Sequence, residues 1–394
     1  MLAVFLCLPG GLQADEAAGE PIALGMSTAL SGPAAELGEN MRAGVLAAFQ
    51  EANAEGGVGG RPLELISLDD QYEPAQTAPN MHKLIEEHEV VAVIGNVGTP
   101  TAVAAIPIAN EAKTPFFGAY TGAGVLRKKP PDRYVINYRA SYAEEAAAMV
   151  DALIGEAGLK PQEIAFFTQR DAYGDAGFVG GIAALKRHGL ASEQDVTHGR
   201  YERNTLAVEN AIAEILGAAT TPRAVIMVGA YAPCARFIEL AQEVGVDALF
   251  LNVSFVGAAP LATALGNKGD GVIVTQVVPH FDADLPLVHQ YRKALASSNA
   301  QATPTFGSLE GYVAARILIQ ALGAIQGEIT REAVVDALEG LGEFEIGLGT
   351  PLRLNATDHQ ASSRVWPTEL RGGRVVPLDW AKLGGGSPAA AKAP

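Results

Sequence analysis

Between Val90 and Thr101 the chain reads Val90-Val91-Ala92-Val93-Ile94-Gly95-Asn96-Val97-Gly98-Thr99-Pro100-Thr101, and no other stretch limits the possible folds as much. Five leading apolar residues closed by a glycine predict a strand buried on both faces. Gly98 turns the chain, Thr99 is a good helix N-cap, and Pro100 suits a first helical residue, which needs no N–H. A helix rich in small apolar residues follows from Ala102 to Ala112. Such a junction aims free backbone N–H groups and a hydroxyl at the carboxyl end of a sheet. Open α/β sheets bind ligands at that end, and anions favour the positive pole of a helix. The same pattern also describes an ordinary strand–helix junction whose threonine only caps its own helix.

The alternation of strand and helix continues on both sides of this stretch. Ile22-Ala23-Leu24-Gly25-Met26 predicts a first strand, followed by the turn-rich Ser31-Gly32-Pro33. Met41, Val45, Ala48, Phe49 and Ala52 recur at helical spacing and predict a helix from Glu36 to Glu55. Leu63–Leu68 forms the next strand, ending in Asp69-Asp70, and a helix from about Ala75 to Glu87 leads into Val90. Phe116-Phe117 belongs to a fourth strand, with Gly118-Ala119-Tyr120-Thr121 as its carboxyl-end loop. From Tyr134 the pattern restarts, with strands at Ile164–Thr168, Ala224–Val228, Leu249–Asn252 and Val272–Gln276. Helices are expected between them over 141–158, 175–188, 205–217 and 233–244, and afterwards over 284–298, 308–325 and 330–339. Short strand-like pieces fill 350–380. Parallel sheets covered on both faces follow from this alternation.

With 394 residues there is enough chain for two lobes, each with its own core. A formal charge of −16 argues against nucleic acid or an anionic membrane as partner, because both reward clustered Lys and Arg. The two cysteines, Cys7 and Cys234, provide no zinc cluster. Leu2–Leu8 looks like the hydrophobic part of a secretory signal, with Leu12-Gln13-Ala14 a tolerable cleavage site. The match is imperfect, since no basic residue precedes it and the first is Arg42. Residues 1–14 are read as a signal peptide and the glycine- and alanine-rich 384–394 as a flexible tail. No transmembrane helix is expected after the signal.

Catalytic signatures are missing: the sequence has no G-x-S-x-G elbow, H-E-x-x-H, Walker A or G-x-G-x-x-G at a strand–helix junction. His82 and His88 lie on poorly matched helix faces, and Asp69-Asp70 reads as a solvated turn or hinge contact rather than an acid–base pair. No catalytic residue, metal or cofactor is expected.

Taken together, Ser31-Gly32-Pro33, the Asn53–Gly60 segment, Asp69-Asp70 with Pro74, Val93-Ile94-Gly95 with Thr99, and Tyr173-Gly174 resemble a known family. It is the leucine/isoleucine/valine-binding type of periplasmic receptor that feeds ABC importers, and the resemblance spans about 21–380. It implies the type I periplasmic binding protein fold: two doubly wound, Rossmann-like α/β lobes joined by a three-crossing hinge. Lobe 1 would comprise 21–140 plus 278–342, lobe 2 141–277 plus 343–380, and the crossings would fall near Arg139, Val278 and Gly342.

By position, the resemblance makes Thr99 the hydroxyl that meets a ligand carboxylate at a helix start. Ala119 and Thr121 would hold the ligand's polar head, and Tyr173 and Tyr231 would close over it from the second lobe. Read from the residues alone, Tyr173 could equally be a packing residue at a helix start and Tyr231 a surface loop residue. Amino-acid binders of this type pair an acidic residue of the second lobe with the ligand's ammonium, and here that position matches Ser254. A serine cannot neutralise a cation, and a buried unpaired ammonium is costly. Leu37 stands where an aromatic residue often packs on the ligand, and Gly98 where relatives carry a disulfide cysteine. The resemblance thus implies a monomeric periplasmic receptor that captures an amino acid or related small carboxylate or amide by closing its lobes and then docks on an inner-membrane ABC permease. The alternative is a ligand-sensing module of the same fold coupled to a signalling partner.

Overall fold

The computed structural model describes residues 19–385; the expected signal peptide and most of the expected tail lie outside them. The first α/β unit runs β1 (Ile22–Thr28), α1 (Ala35–Ala54), β2 (Leu63–Asp69), α2 (Pro74–His82), β3 (Ala92–Ile94), α3 (Thr99–Glu111), β4 (Phe116–Phe117) and β5 (Val135–Ile136). Its five strands are parallel in the order β2-β1-β3-β4-β5, with Leu24 opposite both Leu65 and Ala92. The helix expected from Ala75 to Glu87 starts as α2 and winds its last residues, Lys83–Glu87, as a π-helix.

The second unit runs α4 (Tyr142–Gly155), β6 (Ile164–Gln169), α5 (Ala172–Arg187), β7 (His198–Tyr201), α6 (Glu209–Leu216), β8 (Ala224–Val228), α7 (Tyr231–Glu243), β9 (Leu249–Asn252), α8 (Ala258–Leu265) and β10 (Ile273–Gln276). Its parallel strands follow β7-β6-β8-β9-β10, the same winding as the first sheet. Every residue of β8 is buried, as expected of a strand covered by helices on both faces. The remaining elements are α9 (Pro286–Ser298), α10 (Phe306–Ala324), α11 (Arg331–Glu339), β11 (Gly342–Phe344), β12 (Leu352–Leu354), β13 (Trp366–Arg371) and β14 (Arg374–Pro377). Helices α9 and α10 return to the first unit and pack on α1. That approach depends on Gly44, where a Cβ would lie 1.8 Å from the Ser308 carbonyl oxygen. Strands β13 and β14 extend the second sheet antiparallel beyond β10.

The chain passes between the sheets three times, and the passages are bonded side by side. The Tyr138 hydroxyl donates to the Val277 carbonyl (3.0 Å), the Ser362 N–H to the Tyr138 carbonyl (2.8 Å), and the Ala361 N–H to Asn137 (2.9 Å). The third passage therefore comes after Ala361 rather than near Gly342. The reason is the β11–β12 hairpin, which stays on the first unit and accepts the Leu287 N–H at the Gly347 carbonyl (3.1 Å). Among the described residues no helix is long and apolar enough to cross a membrane.

Candidate functional site

Each sheet winds outward from one point, between β1 and β3 in the first and between β6 and β8 in the second. At such switch points the connecting loops leave in opposite directions and a crevice opens at the strands' carboxyl ends. Here the two crevices face each other, with α3 touching α5 across the gap.

On the first side the loop after β3 is fixed by Asn96, whose side-chain oxygen accepts the Ser27 N–H (3.2 Å), and by two bonds to Tyr120, whose carbonyl accepts the Gly98 N–H (3.2 Å) and whose N–H donates to the Asn96 carbonyl (2.8 Å). Gly98, at φ +104°, is the N-cap; a Cβ there would lie 2.1 Å from the Tyr72 ring. Thr99 is thus the first helical residue and does not cap its own helix. Its hydroxyl is hydrogen-bonded to that of Thr121 (2.6 Å), and both threonines are buried. Ala119 is buried too, with its carbonyl accepting the Thr121 N–H (2.8 Å). These three residues therefore meet at the β3 and β4 strand ends.

On the second side Asp171 caps α5 through the Tyr173 N–H (3.0 Å). The fully buried Tyr173 donates its hydroxyl to the Gly229 carbonyl (3.2 Å) at the end of β8. Its ring stands 5.2 Å from Tyr142 and 4.7 Å from Phe255. Tyr142 in turn donates its backbone N–H to Gly122 (2.8 Å), beside Thr121, so the threonine pair and Tyr173 lie in one neighbourhood. Tyr231 opens α7 and is half-buried; burial first, and then the Glu36 carboxylate on α1 of the other lobe, pushes its phenol up.

Nothing in the sequence singles out Tyr72, Phe255 or the rim contacts, and Asp69-Asp70, expected as a solvated turn or hinge contact, has Asp70 fully buried and holds a turn. Asp69 accepts the N–H groups of Leu30 and Gln71 (both 2.9 Å), and Asp70 accepts that of Tyr72 (3.0 Å) and the Ser27 hydroxyl (2.8 Å). The two acids hold Gln71 and Tyr72 at φ of 54° and 63°, a left-handed pair that non-glycine residues seldom adopt. The turn carries Tyr72 across the gap, where its hydroxyl accepts from Gln169 Nε2 (3.2 Å). Phe255 fills the space between lobes, 5.9 Å from Tyr72 and 5.5 Å from Tyr120. At the rim Glu73 accepts from Arg203 and Asn204 of the other lobe, each at 2.6 Å.

Ser254 is buried, but its polar groups are already engaged. Its N–H and hydroxyl donate to Glu145 (2.7 and 2.9 Å), and the hydroxyl also accepts from Arg139. Glu145 takes two further bonds, from Thr275 (2.6 Å) and Arg139 Nη2 (3.0 Å). Arg139 sits in the first hinge passage, 1 % exposed, with Glu310 of α10 at 3.5 Å and the Tyr120 and Tyr142 rings at 5.2 and 5.6 Å. Burial opposes its charge, yet Glu310 and Glu145 together hold its pKa above the usual arginine value. Burial pushes the Glu310 carboxyl up to about 7, against the pull of Arg139. Arg139 is thus an ion-pair hub joining an acid of each lobe.

The cleft cavity lined by Leu37, Asn40 and Tyr120 on one side and Gly257–Pro260 on the other measures about 10 Å³, room for one water at most.

A family model described as periplasmic binding protein matches residues 21–374. The chain is similar to the solved structure of a possible leucine/isoleucine/valine-binding protein from Rhodopirellula baltica, with 55% identity, a TM-score of 0.91, and coverage of 94% of this chain and 99% of that one. It is 26% identical to Leu/Ile/Val-binding protein homolog 7 of Brucella abortus, covering 89% of this chain and 90% of the relative. It is 24% identical to a leucine-, isoleucine-, valine-, threonine- and alanine-binding protein of Pseudomonas aeruginosa, covering 86% and 87%.

Proposed function

This chain belongs to the periplasmic binding proteins of the leucine/isoleucine/valine-binding type, and from that premise we propose that it is the solute receptor of an ABC importer for a small amino acid or related carboxylate or amide. Members of the family are substrate-binding proteins, not enzymes, so the work is capture rather than turnover. The observation that carries the reading is the facing of two sheet switch points across a three-strand hinge. One presents the bonded hydroxyls of Thr99 and Thr121, the other the buried Tyr173.

In this reading Thr99, Thr121 and the start of α3 receive the ligand's carboxylate, and the Ala119 carbonyl orients its polar head. Tyr173 and Tyr231 cover it from the second lobe, while Ser254 shapes the wall by fixing Glu145. Closure is a hinge motion about the bonded passages. Reversing an open-to-closed ratio of 99:1 needs about 5.5 kcal/mol of differential affinity. A micromolar ligand binds with about 8 kcal/mol in all. Most contacts must therefore form only in the closed state, which is why both lobes supply residues. The protein works in the periplasm as a monomer, exported by its N-terminal segment, and the closed form docks on an inner-membrane permease.

The test is calorimetry against a panel of aliphatic amino acids, amides and carboxylates, with small-angle scattering for closure. A compound that binds and shrinks the particle supports the reading. A panel without binding or compaction refutes it.

A further inference from the structure

Resting on that reading, we infer that the ligand carries a hydrogen-bond acceptor, a 2-oxo or 2-hydroxy group, where an amino acid carries its ammonium. The inference follows from the donors and acceptors that the buried cleft leaves uncommitted. Glu145 is saturated by Ser254 N–H, Ser254 Oγ, Thr275 Oγ1 and Arg139 Nη2, so it has no lone pair suitably placed for an incoming cation. Arg127 is equally committed, to the Gln360 side chain and the carbonyls of Thr121, Ala123 and Arg139.

Arg139 differs from both. Its Nε is buried with no hydrogen-bond partner, its Nη1 meets only the Glu310 carboxylate at an ion-pair distance of 3.5 Å outside hydrogen-bond geometry, and the hydroxyl of Tyr142, which packs on it, has no acceptor. The aromatic faces of Tyr120 and Tyr142 stabilise the charge without accepting these N–H groups in hydrogen-bond geometry. The threonine pair adds a hydroxyl proton that its one mutual bond does not use, within reach of the Tyr142 hydroxyl. Buried donors left without acceptors are costly. A ligand bearing a carboxylate and a neighbouring carbonyl or hydroxyl oxygen would satisfy them, whereas an ammonium would add three more donors.

Two acceptors stand against this set. The Asn252 side-chain oxygen is unpaired at the end of β9. Glu310 is the acid an ammonium would seek, but it already faces Arg139 Nη1 at 3.5 Å. Burial pushes its carboxyl up to about 7, against the pull of Arg139, so it is a poor partner for a second cation.

The test compares three compounds with one carbon skeleton by calorimetry on the full mature chain: 4-methyl-2-oxopentanoate, 2-hydroxy-4-methylpentanoate and leucine. The expected order is oxo acid, hydroxy acid, leucine, with the oxo acid at least tenfold tighter than leucine. Arg139→Lys should abolish the preference; if that variant does not fold, Tyr142→Phe, which removes a donor without removing charge, should narrow it severalfold. Tighter binding of leucine, lost in Glu310→Gln, overturns the inference and leaves the receptor reading standing. Binding of none of the three, together with no binding across the wider panel, overturns both.

Discussion

Glu73→Gln isolates the contribution of the rim contact to closure. Glu73 lies on the first lobe just before α2, and its carboxylate accepts from Arg203 Nη2 and Asn204 Nδ2, both at 2.6 Å, from the second lobe. The side chains of Arg203 and Glu73 are 24% and 36% exposed, so a fully buried value for the pair would overstate its strength. A solvent-screened ion pair contributes roughly 0.2–1 kcal/mol, and one charge-assisted bond at a half-exposed rim adds a comparable amount. The sum spans about 0.4–2 kcal/mol, and its middle, about 1–1.4 kcal/mol, corresponds to five- to tenfold in the closed-to-open ratio. Arg203 is not orphaned in the variant, because Asp171 of its own lobe stays at 3.3 Å. The contact exists only when the lobes meet, so its loss acts on escape rather than entry. Stopped-flow release of the tightest panel compound should therefore be five- to tenfold faster in Glu73→Gln with little change in association. The signal is energy transfer between dyes on Ala75→Cys and Leu206→Cys, both exposed positions that flank the rim. The gap between wild type and variant should shrink at molar salt. Unchanged release, or strict additivity of Glu73→Gln and Arg203→Met in a double-mutant cycle, would refute the latch.

Replacing Thr99 and Thr121 together by valine removes both partners of their mutual bond and leaves only the long 3.3 Å bond from the Ala123 N–H without its acceptor, so melting temperature should fall modestly while carboxylate affinity falls about tenfold or more, measured by calorimetry. The Glu310 carboxyl has its folded pKa raised from 4.5 to about 7, so the folded state binds the extra proton and stability falls as pH rises through that window; Glu310→Gln should flatten the fall. His198, lowered by burial to about 4, acts in the opposite sense below 6.5, so thermal scans from pH 6.5 to 8 separate the two. Ser254→Asp would place a second carboxylate against Glu145, whose Oε1 is 2.9 Å from the serine hydroxyl, and should cost a few kcal/mol in chemical denaturation, recovered in part by Glu145→Gln.

The sequence made the strand–helix grammar legible where a strand is buried on both faces, as at Ala92–Ile94 and Ala224–Val228, since continuous apolar runs leave little choice. It hid β7, an edge strand whose His198-Gly199-Arg200-Tyr201 is only alternately buried. It also hid α8, whose short Ala258-Ala259-Pro260 start follows Gly257 and reads as loop. At the site, Thr99 could be found because a helix start at a strand's end is a local pattern. The carbonyl, ring and acid partners could not. Tyr72 reaches the cleft only through a strained turn held by Asp69 and Asp70, and periodicity carries no trace of side-chain hydrogen bonds.

Arg139 shows why the polar centre was the least legible part. Its partners come from α4, the loop after β9, and α10, positions up to 171 residues away along the chain, and none announces itself by spacing. Once assembled, the arrangement couples two properties usually treated apart. Glu145 and Ser254 belong to one lobe, Glu310 to the other, and Arg139 to the passage between them, so the charge balance around Arg139, the inferred selector of the ligand, also depends on the hinge angle. A rotation that separates Glu310 from Arg139 leaves an acid and a guanidinium each seeking a partner, which raises the cost of opening and favours any ligand able to bridge them on the way back. On the inferred ligand chemistry, specificity and closure share one ion-pair hub, and a substitution there should alter ligand preference and lobe motion together.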